Sequence, residues 1–136
     1  MTSVVRVVPV VATAVAIASA ACAGELADPG RFADCPPGYV EQLFQSRCGE
    51  CHDATEPDAF LDLTSPGVDQ RVFGIASMST CEGRMLVEPG GGDHLLLEKL
   101  EASPSCGTRM PLGLPALSPI EIECVRRWVD DLAEAP

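Results

Sequence analysis

The chain is poor in aromatic residues, with four Phe, one Tyr and one Trp among 136 residues. So little ring surface makes for a thin core in a small domain and leaves room for something else to be buried. Basic residues are scarce too: nine Lys and Arg stand against twenty Asp and Glu, a formal charge of -11, and Lys99 is the single lysine. That balance argues against nucleic acid, which needs cations to neutralise phosphate, and favours a basic partner. The chain shows no sustained strand alternation, no internal repeat and no βαβ unit, which excludes parallel α/β folds and repeat arrays. It also offers no Ser-His-Asp candidate. An enzyme of that nucleophilic kind is therefore not expected. At this length there is one small domain, not two.

Long hydrophobic runs are also missing. The longest, residues 7–21 (VVPVVATAVAIASAA), is too short and too weakly flanked for a membrane-spanning helix and has the shape of a secretory signal. Cys22 follows Ser19-Ala20-Ala21, small residues at which a signal peptidase would cut, and is expected to be the lipidated first residue of a mature lipoprotein. The expected organisation is a signal peptide at 1–21, a lipid-anchored tether at 22–34, one domain at 35–132 and a short tail at 133–136. Loss of residues 1–21 removes one Arg and no acid, moving the formal charge to -12. The expected location is periplasmic, on the outer membrane. Seven cysteines in so short a chain imply an oxidising compartment or a bound metal.

Within the domain, Val40, Leu43, Phe44 and Arg47 recur at helical spacing and predict a helix from Tyr39 into Cys48. FLDL at 60–63 reads as a short wrapping segment. Val68, Val72 and Phe73 predict a second short helix, opened by Pro66 and stopped by Gly74. RMLVE at 84–88 reads as extended and leads into the turn PGGGD. Asp93 is the expected cap of a helix over HLLLEKLEA, with Leu96, Leu97 and Leu100 inward and Pro104 at its end. The last helix has the sharpest start: Ser118 as N-cap, Pro119 at N1 and Glu121 at N3 form a capping box. Its apolar face carries Ile122, Val125, Trp128, Val129 and Leu132. The fold class is all-α, with short helices and long loops.

The stretch SRCGECHD places Cys48, Cys51 and His52 in a C-x-x-C-H triplet. Zinc would need a second tight pair, and the other cysteines stand alone at 35, 81, 106 and 124. A redox dithiol belongs between a strand and a helix, whereas the sequence before Cys48 is helical. A plain disulfide leaves the histidine unexplained. Covalent haem explains the triplet as a unit: two thiols joined to the porphyrin vinyl groups, and an adjacent imidazole on the iron. That reading needs a distal ligand from Met78, Met85, His94 and Met110. Met110 is the choice, because Pro111 stiffens the loop beside it and it lies 58 residues after His52.

RCGECHD, then RMPLG, then LSPIEIECVRRWVDD together resemble the class I cytochrome c family, specifically its small, exported, monohaem lipoprotein-type domains. The resemblance covers roughly residues 35–132. It implies one covalently bound haem c with its iron held by His52 and Met110, thioether links at Cys48 and Cys51, and single-electron transfer to a redox protein partner with a basic docking face. It also implies a crossing of the first and last helices, and a haem pocket lined or sealed by Leu112, Leu114, Leu117 and Trp128. By the same analogy, the helix crossing would bring Cys35 to Cys124 and leave Cys81 to pair with Cys106, although four cysteines allow three connectivities. The alternatives are a five-coordinate haem module for small gases or weak peroxidase chemistry, and a haem-free, disulfide-stabilised binding lipoprotein.

Overall fold

Backbone turns at glycines set the positions of the first two helices. The computed structural model describes residues 33–78, 80, 81 and 83–135. The proposed signal peptide, Cys22 and nearly all of the proposed tether lie outside the described residues. Helix α1 spans Tyr39–Arg47, α2 Val68–Val72, α3 Leu95–Glu98 and α4 Pro119–Ala133, with one 3-10 turn at Asp58–Phe60. Gly38 and Gly67 precede α1 and α2 with φ of 79° and 80°, a left-handed conformation that glycine adopts without a Cβ clash. No strand forms among the described residues; two isolated bridges, Phe73 with Val87 and Ala76 with Met85, fold the middle segment back on itself. The domain is small and all-α.

Helix α4 begins as its sequence directs. The Ser118 hydroxyl accepts from the Glu121 N–H at 3.2 Å, and the Glu121 carboxylate accepts from the Ser118 N–H at 2.6 Å. Helix α3 departs from expectation. His94, not Asp93, is its N-cap residue, no side chain caps it, and it ends after one turn. Its backbone is tied into the middle segment instead: Leu95 and Leu96 donate to the carbonyls of Met85 and Leu86 at 3.1 and 3.0 Å. Pairing with an extended neighbour replaces further helical turns.

The core forms where α1 and α3 pack on α4. Leu43 and Phe44 meet Val125 and Val129 there, with Val72, Val87 and Leu95 completing a buried cluster. The Phe44 and Trp128 rings meet edge to face, centroids 5.6 Å apart, a favoured aromatic geometry. Two disulfides tie this core together, Cys35–Cys124 and Cys81–Cys106. Of the three connectivities open to these four cysteines, the fold holds this one. The core is thus built from the domain's own side chains and covalent ties. Among the described residues, no helix is long and apolar enough to cross a membrane.

Candidate functional site

The end of α1 delivers Cys48 and His52 to an apolar cavity. Cys48 is the C-cap of α1 and its N–H donates to the Phe44 carbonyl at 2.8 Å. The chain then turns tightly: the His52 N–H donates to the Cys48 carbonyl at 2.9 Å, and the Leu63 N–H to the His52 carbonyl at 2.8 Å. Gly49 permits this turn, since a Cβ there would sit 2.6 Å from the Gln45 carbonyl oxygen. His52 Nδ1 lies 3.1 Å from the Leu61 carbonyl. A carbonyl only accepts, so Nδ1 carries the proton and Nε2 is left as an acceptor.

The cavity has a volume of about 290 Å³, at the lower end of small-molecule sites. Phe44, Leu61, Leu63, Leu86, Leu95, Leu96 and Leu100 form most of its wall, with Cys48, His52 and Met110 also lining it. Phe60, Ile75 and Met78 stand at its exposed rim, Phe60 being 81% exposed. Ala59 and Phe60 hold φ of 56° and 60°, strained values for residues with a Cβ, of a kind that clusters at binding sites. Sequence reasoning marked Phe60 only as part of a wrapping segment and Met78 only as a candidate ligand; the strained backbone at Ala59 and Phe60 carried no sequence signal.

Two cations also reach the wall. Arg71 donates to the carbonyls of Asp62, Ser65 and Pro66. Asp62, in turn, accepts from the backbone of Thr64 and Ser65, and the hydrogen bonds from Ser65 and then Thr64 hold its carboxyl well below the usual range. Lys99 donates to the carbonyls of Cys106 at 2.8 Å and Thr108 at 3.3 Å. The thiols are quiet. Burial pushes Cys48 up to about 11 against the pull of Arg47. Partial desolvation and the carboxylates of Asp58 and Glu50 raise Cys51. Both are therefore protonated at neutral pH and poor nucleophiles.

Several expected site residues lie elsewhere. Cys51 is exposed and is not part of the cavity wall, so only one of the two proposed attachment thiols faces the space a porphyrin would need. Leu112 is 64% exposed and Leu114 38%. Leu117 is buried in the core, and Trp128 packs on Phe44 from the α4 side. None of these four lines the cavity. His94, one of the candidate distal ligands, is only 8% exposed and accepts from the Glu88 N–H at 2.9 Å through Nδ1. It faces a separate polar cavity with Arg84, Glu98 and Asp130. Met85 sits in the bridge to Ala76.

These placements correct the haem reading. Among the described residues, no group of three or more His, Cys, Asp or Glu side chains is placed to hold a metal ion. Four of the cysteines are instead committed to disulfides that hold the fold. That finding overturns the iron-bearing haem c with His52 and Met110 ligation. Electron transfer through it and the five-coordinate variant fall with it. The CxxCH triplet is local in sequence, whereas both attachment thiols must face one space: Cys48 lines the cavity with His52 and Met110, and Cys51 does not. No protein-family model, curated protein or solved structure matches the chain. The resemblance to class I cytochromes c is therefore set aside, and the chain is assigned to no family.

Proposed function

We propose that this domain is a haem-free, disulfide-stabilised binding module whose apolar cavity takes a small hydrophobic molecule. One observation carries the reading: a cavity of about 290 Å³, walled mainly by apolar side chains, opens among residues of the core. Apolar cavities with a few fixed polar groups are the usual form of small-molecule sites. The two disulfides support an exported protein in an oxidising compartment, and lipid anchoring through Cys22 on the periplasmic side belongs to the same proposal. The excess of acid supports a basic surface on any protein partner.

Two measurements on the exported protein test this, after production in a host able to attach haem to CxxCH sequences. The denatured intact mass should equal that of the processed polypeptide, and any N-terminal lipid, with two disulfides and free thiols at Cys48 and Cys51. The folded protein should bind a hydrophobic fluorescent dye at one site, and Leu95→Trp, filling the cavity, should weaken it. A visible chromophore retained through denaturation as added mass on Cys48 and Cys51 would overturn the haem-free reading. Absence of dye binding would overturn the binding role.

A further inference from the structure

Lys99 is the single lysine in a chain with twenty acids, yet among the described residues no ion pair includes it. Among the described residues its ammonium meets only the carbonyls of Cys106 and Thr108, at the wall of the apolar cavity. An unpaired cation in an acidic protein departs from what abundance alone would give. The carbonyl contacts orient the ammonium, no carboxylate among the described residues pairs with it, and two acceptors do not exhaust its three donors.

Gly107 makes space for this arrangement. It has φ of 63°, and a Cβ there would lie 2.5 Å from Lys99 Nζ and 2.9 Å from Thr80 Oγ1. The ammonium and the Thr80 hydroxyl therefore both pack beside Gly107, in space that a side chain there would need. Thr80, Gly107 and Thr108 are exposed, so this polar niche opens to solvent while the aliphatic wall runs inward from it. The cavity lining thus combines exposed polar groups with buried aliphatic side chains.

Resting on the proposed binding role, we infer that the ligand is a small apolar molecule bearing one carboxylate, with its head at the Lys99–Thr80–Gly107 niche and its apolar body toward Leu86, Leu95 and Leu96. A carboxylate would accept from both the ammonium and the hydroxyl, and charge-assisted bonds of this kind are the strong ones.

Octanoate and octan-1-ol share a chain and differ in the head, so calorimetry with the two separates head from body. Wild-type protein should bind octanoate about tenfold more tightly, as expected for charge-assisted hydrogen bonds at a partly solvated site. Lys99→Gln keeps a donor for the two carbonyls while removing the charge. It should abolish the tenfold preference and leave octan-1-ol binding within about twofold, which also reports that the variant is folded. Equal binding of the two probes by wild-type protein would overturn the carboxylate inference and leave the apolar cavity standing. Failure of both probes, together with failure of the hydrophobic dye, would bring down the binding role itself.

Discussion

Removal of the Cys35–Cys124 disulfide, by Cys35→Ala with Cys124→Ala, gives the largest stability change that can be worked from this fold. The bridge spans 89 residues of chain, and restricting a loop of that length in the unfolded state is worth about 4.6 kcal/mol at 25 °C on the chain-entropy account. The inner Cys81–Cys106 bridge spans 25 of those residues. Subtracting them leaves about 64 free residues and lowers the outer term to about 4.3 kcal/mol. The inner bridge alone comes to about 3.5 kcal/mol. Cys124 is also only 1% exposed, so Ala there loses packing as well and widens the gap. At about 4–8 °C per kcal/mol for a domain of this size, the outer variant should melt about 17–35 °C lower. Small domains hold only about 5–15 kcal/mol in total, so urea titrations belong at 15 °C, without reductant, beside the corresponding inner variant. An outer variant that loses under about 1 kcal/mol, or less than the inner one, would refute the reasoning.

Gly49→Ala places a methyl 2.6 Å from the Gln45 carbonyl and 3.1 Å from Thr64 Cγ2. The cost should be about 1–3 kcal/mol, as for other overpacked sites, read as a lower urea midpoint at unchanged slope; a change below about 0.5 kcal/mol would show that the turn yields. Glu98 accepts from the Ser105 N–H at 2.5 Å and pairs with Arg84 at 2.6 Å, and these bonds, Ser105 first, hold its carboxyl down to about 2. A depressed carboxyl stabilises the fold above its ordinary value of 4.5 and loses that contribution as pH falls toward 2. Glu98→Gln should therefore be less stable than wild type at pH 7, with the difference closing between pH 4.5 and 2. A difference that stays constant over that range would count against the carboxylate's role.

The elements readable from the chain were those whose causes lie within one or two turns. Ser118, Pro119 and Glu121 specify the start of α4 through contacts three residues apart, and Val40, Leu43 and Phe44 mark the buried side of α1 by spacing alone. The same local logic failed at α3, where backbone pairing with Met85 and Leu86 displaced a longer helix and buried His94. It failed again at CxxCH. The triplet suggested a prosthetic group, but which side chains share a cavity depends on how loops tens of residues long close around the core. Tertiary packing alone turns Cys51 outward, sends Trp128 against Phe44 and leaves Leu112 in solvent. It also brings Lys99 and Thr80 to the gap at Gly107. Caps and periodicity act through neighbouring bonds and are written in short stretches of sequence; convergence of distant groups is a property of the closed chain, and only the folded structure supplies it.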